Sequence, residues 1–224
     1  IDFDTNDFGD GEKQCLLAIF DDKAGQMWVP LADDVPEGSV ALFHADVQVW
    51  VVTRAGSGEE VGLFYLDPFA REGKQSGAWA SGYRGPASFD GPRTPLISNN
   101  SNFIPAPAGQ HTLLSWDDAI TLFHEFGHAL HGLTSDASYP TTNGGVRDYT
   151  ETQAQLLERW LLSDRVIQGY MLHHETGEPM PAELVERLER AATFNQGFET
   201  TEYVASALMD MLYHTVDPTD IDPR

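Results

Sequence analysis

The sequence predicts an α+β fold that is mainly helical and carries a small antiparallel sheet near its N-terminus. Two observations predict it. Over residues 1 to about 70 apolar and polar residues alternate in places, as at Val47, Val49 and Val51, and Gly62 to Leu66 follow the turn-like Ala55-Gly56-Ser57-Gly58. That pattern is a β-hairpin. From Trp116 onward the apolar period turns helical, which predicts helices near 116–131, 149–163, 182–194 and 199–215. Strands first and helices after is the order of an α+β domain. Between the two halves, residues 71–115 are rich in Gly, Ser, Asn and Pro. So long an irregular stretch is functional or hides a short strand, and Thr94 to Ser98 is the best strand candidate. The expected organisation is one catalytic core over 1–224, strand- and loop-rich to 115 and helical from 116.

Composition narrows the function. The 224 residues include 35 acidic and 13 basic ones, a formal net charge of −22, and Lys13, Lys23 and Lys74 are the lysines. Nucleic acid is not an expected partner, because binding it requires many phosphates to be neutralised by Lys or Arg. The acidity fits a solvated surface in a salt-tolerant host, or a field that draws in cationic peptides. No apolar run approaches the roughly 18 residues that a membrane span needs, so no membrane partner is expected. The single cysteine, Cys15, cannot form an internal disulfide, which fits a reducing compartment and a cytoplasmic location. The opening at Ile1 suggests a mature product or a piece of a longer chain. Oligomeric state has no signal here.

The chemistry lies in the first predicted helix. Ser115 and Asp118 form a capping box at its start, and Gly132 marks its expected end. Within it runs His124-Glu125-Phe126-Gly127-His128. Residues four apart share a helix face, so His124 and His128 can direct two imidazoles at one zinc ion. Glu125, on the flank, is placed to take a proton from a water that the metal activates. Gly127 is about 1 kcal/mol worse than Ala inside a helix, an odd choice unless close packing or a ligand needs the space. Phe123, Phe126 and Leu130 supply the apolar face that buries this helix.

A catalytic zinc site usually has three protein ligands, so a third is needed. His131 lies seven residues past His124, roughly 10 Å along the axis, too far to share the ion, and is read as structural or supporting. The next helix offers Glu151, with Gln155 and Glu158 on the same face. A helical hairpin through 133–147, eased by Gly144-Gly145, would fold that face back onto the histidines. By spacing alone Glu151 is either a metal donor or a capping-box partner of Asp148. Gln155 and Glu158 are candidates to orient the imidazoles from behind.

The stretch LFHEFGHALHGL from Leu122 resembles the signature of the thimet oligopeptidase and oligopeptidase A family, particularly its bacterial peptidyl-dipeptidases. Other blocks agree: His44 to Trp50, GLFYLDPFAREGK from Gly62, Gly77-Ala78-Trp79, and Phe194 to His214. The resemblance runs over about residues 40–215. It implies a zincin-type core, one Zn2+ per chain held by His124, His128 and Glu151, Glu125 as general base, and short peptides as substrates. The alternative is a catalytically impaired zinc- or peptide-binding fragment of such an enzyme. The family's Pro-Ser pair after the third ligand is replaced here by Gln153-Ala154. The helical region and the tyrosine-rich segment that flank the family's core are also expected to be missing, so the full cleft would need further chain. Thr94 to Ser98 could offer a strand edge to a peptide.

Overall fold

A computed structural model of the protein describes residues 28–31 and 42–220, apart from 55, 90, 92, 108–111, 143, 144, 174 and 175. Cys15 and Gly144 lie outside the described residues. The chain divides into two compact units, Ile1–Pro179 and Met180–Arg224.

In the first unit five strands form one sheet: β1 (Trp28–Leu31), β2 (Gln48–Arg54), β3 (Glu60–Phe69), β4 (Trp79–Arg84) and β5 (Leu96–Phe103), in the order β1-β2-β3-β5-β4. The predicted hairpin is β2–β3, with Val49 opposite Tyr65 and Val51 opposite Leu63. Its turn is closed by Gly58 donating to the Arg54 carbonyl at 3.0 Å, and Gly56 and Gly58 both take positive φ. The expectation of an antiparallel sheet is corrected by β5, which runs parallel to β3 and antiparallel to β4. The chain crosses to β4 at the far side and returns through β5, so β5 is an interior strand. Of the strand expected at Thr94 to Ser98, Leu96 to Ser98 lie in β5 and are paired on both sides, so they offer no free edge, and the outer edge on that side belongs to β4.

The polar run Ser98-Asn99-Asn100-Ser101 is buried within β5. Asn100 donates to the Trp79 carbonyl at 3.1 Å and to Ser98 Oγ at 3.0 Å. The Asn99 carboxamide and Ser101 hydroxyl have no hydrogen-bond partner among the described residues.

Helix α1 (Trp116–Thr134) covers one face of the sheet. The capping box forms as expected, with Asp118 N–H donating to Ser115 Oγ at 3.1 Å and Ser115 N–H donating to Asp118 Oδ2 at 3.0 Å. The helix does not stop at Gly132. That residue lies inside it, where a Cβ would stand 2.9 Å from Ile97 Cδ1, so this glycine marks a close approach to the sheet. Phe64, Leu66, Ile97 and Phe103 of the sheet interdigitate with Leu122, Phe123, Phe126 and Leu133. Each such fully buried side chain contributes about 1.5–3 kcal/mol. Phe64 meets Phe126 edge to face at 5.1 Å.

The helix predicted over 149–163 is three pieces: a 3-10 turn at Arg147–Tyr149, helix α2 (Thr152–Glu158) and a 3-10 turn at Arg159–Leu162. Short α3 (Asp164–Gly169) follows, capped by Ser163. Leu157, Leu161 and Val166 join the same core. In the second unit α4 (Ala182–Ala192) follows Pro181, and α5 (Gln196–Thr215) starts after Asn195, whose φ is 63°. Phe198, Tyr203, Leu208 and Met211 of α5 are exposed.

A buried charge cluster sits at the end of β3. Arg71 donates to both carboxylate oxygens of Asp67, at 2.6 and 2.7 Å. Lys74 Nζ donates to the Asp67 and Phe69 carbonyls at 2.9 and 2.8 Å and lies 3.1 Å from Asp67 Oδ1. Burial alone would push the Asp67 carboxyl up, but the hydrogen bonds and charges of Arg71 and Lys74 outweigh it and hold it below the ordinary value. Burial pulls the Lys74 ammonium down against the attraction of Asp67. Because the folded pKa of Asp67 is depressed, its contribution is fully present above the unfolded value of about 4 and is lost as pH falls through the folded value. Asp67→Asn should cost about 3 kcal/mol at pH 7, because it leaves the nearly buried ammonium uncompensated. Denaturant titrations should show that deficit shrinking below about pH 4, and equal midpoints at pH 7 would rule out a stabilising role.

Candidate metal centre

The centre is built where α1 and α2 touch. On α1, His124, Gly127 and His131 follow one stripe at spacings of three and four. On α2 and its N-cap, Glu158, Gln153 with Ala154, and Glu151 face it. Gly127 sets the separation. A Cβ there would lie 2.6 Å from Ala154 Cα and 2.8 Å from the Gln153 carbonyl oxygen, both backbone atoms. The room that the sequence reserved at this position is taken by the neighbouring helix, and only hydrogen fits.

That approach brings three donor atoms together. His124 Nε2 and His128 Nε2 are 3.3 Å apart. Glu151 Oε2 is 3.1 Å from the first and 3.2 Å from the second. Ligands about 2.0–2.1 Å from a tetrahedral ion stand roughly 3.3–3.4 Å from one another, so this near-equilateral triangle has the size a zinc ion requires. Two imidazoles and a carboxylate also match zinc in donor type. No other group of three or more His, Cys, Asp or Glu side chains with this closeness occurs among the described residues.

Behind the triangle, Glu158 Oε1 lies 2.5 Å from His124 Nδ1. A proton on Nδ1 shared with that carboxylate leaves Nε2 with its lone pair towards Glu151 and His128. Gln155, the other residue proposed to support the imidazoles, is exposed on the same helix. Glu151 is the N-cap residue of α2, yet its side chain makes no cap hydrogen bond, and Asp148 lies in the preceding 3-10 turn. The carboxylate goes to the histidines instead of to a capping box with Asp148.

Electrostatics divide the site into a dry side and a wet side. Glu125 is only 6% exposed. Burial raises its pKa, the neighbouring His124 opposes the rise, and Glu151 adds to it. Burial pushes His128 below the usual imidazole range against the pull of Glu151, which favours the neutral ring a metal needs. The Glu151 side chain is 55% exposed. His131 stands apart from the triangle and accepts a hydrogen bond at Nδ1 from Gln153 Nε2. Sequence reading had no partner for His131; the available signal was its place on the α1 stripe that faces α2.

The chain matches Peptidase family M3 over residues 32–222 and belongs to that family. Among its relatives, the dipeptidyl carboxypeptidase of Salmonella typhimurium is 41% identical over 80% of this chain, and that of Escherichia coli 38% over 81%. Oligopeptidase A of Escherichia coli is 32% identical over 78% of the chain. The chain spans about a quarter of the length of these relatives, 26% of the Salmonella protein and 27% of the Escherichia coli one.

Gly127→Ala is expected to force α2 away from α1. Overpacking of this kind costs about 1–3 kcal/mol, and the separated donors should bind the ion more weakly. Thermal melts with and without added zinc read both effects: a lower Tm without metal and a smaller rise on adding it. A zinc-induced rise equal to that of the parent would show that helix separation does not set the site.

Proposed function

We propose that this chain is the catalytic core of a zinc-dependent peptidase that hydrolyses short peptides, with His124, His128 and Glu151 holding the metal. The observation that carries the reading is the triangle of donors 3.1–3.3 Å apart, built from two imidazoles and a carboxylate. A zinc ion held there supplies Lewis-acid polarisation of a carbonyl and acidifies a water. The remaining chemistry belongs to the protein. Glu125, buried beside the ligands, takes the proton of the attacking water on its carboxylate and returns it to the departing amine. Its raised pKa suits a group that must hold the proton between those two events. Glu158 keeps the His124 ring in the ligating tautomer.

The peptide backbone would add along the outer edge of β4, which pairs with no further strand among the described residues and packs beside α1 in the same unit. Strand addition pairs with backbone groups and so accepts many sequences, which suits an oligopeptide substrate. Release of C-terminal dipeptides is the favoured mode, because the relatives of higher identity bear the name dipeptidyl carboxypeptidase. Peptides, rather than nucleic acid, also fit a chain with 35 acidic residues against 13 basic ones.

Zinc content after exhaustive dialysis should be near one per chain for the parent and far lower for Glu151→Ala. Glu125→Gln should keep the metal and lose about 10²- to 10⁴-fold in kcat on a quenched fluorescent peptide. Retention of zinc by Glu151→Ala would remove that residue from the ligand set, and hydrolysis at the parental rate by Glu125→Gln would overturn its role as base.

A further inference from the structure

From the contact between Gln153 and His131 we infer that Gln153 is a positioning residue for the third metal ligand, locking the first turn of α2 so that Glu151 faces the histidines. This rests on the metal-binding reading above. Glu151 does not position itself: it stands at the end of a helix, its side chain is more than half exposed, and it makes no cap hydrogen bond. What orients it is the backbone turn that follows, and Gln153 is two residues on.

Gln153 is gripped twice. Its carbonyl and the Ala154 backbone rest against Gly127, which by itself is a pivot about which a short helix can roll. Its side-chain Nε2 donates to His131 Nδ1, one turn further along α1, roughly 6 Å from that pivot. A second contact at that distance removes the rolling freedom. At the other end of α2, Glu158 bonds to His124 and completes a contact line running 131, 127, 124 along α1 and 153, 154, 158 along α2.

The chemistry of the side chain points the same way. With its amide N–H towards the ring, Gln153 pairs with the His131 tautomer whose Nδ1 is unprotonated. Gln153 Oε1 is buried and has no hydrogen-bond partner among the described residues. A buried carboxamide with one orphaned oxygen is costly, and a leucine would fill the space without that cost. The bond to His131 is the compensating gain. At seven residues from His124, His131 is too distant to bind the ion and acts here as the anchor for the helix that does.

The test compares the parent, Gln153→Leu, Gln153→Glu and Glu151→Ala by two readouts: the zinc dissociation constant from chelator competition, and amide hydrogen exchange over residues 152–156 in the metal-free protein. Gln153→Leu keeps the bulk and removes the bond. It should weaken zinc binding about tenfold, the lower end for a group acting behind the ligands, and speed exchange in the first turn of α2. Gln153→Glu can accept a proton from the other tautomer of His131 and should restore most of the affinity. Zinc bound by Gln153→Leu as tightly as by the parent, while Glu151→Ala loses it, would overturn the positioning role and leave the metal site standing. Equal zinc binding by the parent and Glu151→Ala would instead remove Glu151 from the ligand set and this inference with it. A purely structural role would lower metal-free stability in both Gln153 variants without separating them in affinity.

Discussion

The contact on which the site depends is between two backbones. Gly127 presents no side chain to α2, and the Gln153 carbonyl and Ala154 occupy the space a methyl group would need. Helices that touch through their main chains lie closer than helices separated by side chains, and closeness is what lets a carboxylate from one reach imidazoles on the other. The loss in helix propensity at a central glycine is about 1 kcal/mol. The return is a three-atom cluster of the right size.

The sheet serves this contact from the other side. Phe64, Leu66, Ile97 and Phe103 hold the apolar face of α1, so its opposite stripe has a fixed direction. Gly132 brings the last turns of the helix onto Ile97, and Leu157 and Leu161 tie α2 and its following turn into the same core. The imidazoles are thus carried on a helix whose rotation is set by packing, which is what a site needs if its donors are to wait in place for an ion. Asp67, Arg71 and Lys74 fasten the far end of β3 by charge instead of by apolar contact.

The legible parts of the sequence were those with a strong local period or a chemical signature. The β2–β3 hairpin declared itself by alternation and a glycine turn, and α1 by its capping box, apolar face and paired histidines. What escaped was non-local. The strand candidate at Thr94 to Ser98 overlaps the start of β5, but its continuation Asn99-Asn100-Ser101 is a polar run that reads as loop and becomes strand only because β3 and β4 flank it. The edge strand β4 is short and mixes Gly and Ser with Tyr and Arg. The end of α1 was misjudged because Gly132 looks like a stop signal, whereas its job is to let Ile97 in. At the centre, His124, His128 and Glu125 stood out by spacing, while Glu151 was ambiguous until the resemblance was weighed. The partnership of Gln153 with His131 spans 22 positions, and the sequence marks only the His131 side of it, by its place on the α1 stripe.

The exposure of Glu151 bears on how an ion would come and go. Two of the three proposed donors are rings held in a packed helix, whereas the third is a carboxylate at a helix start, open to water on one side. Ligand exchange then has a natural sequence. A hydrated cation would meet the exposed carboxylate first and would exchange waters for the imidazole nitrogens afterwards, and departure would reverse that order. The carboxylate that would meet the ion first is thus the least buried of the three proposed donors.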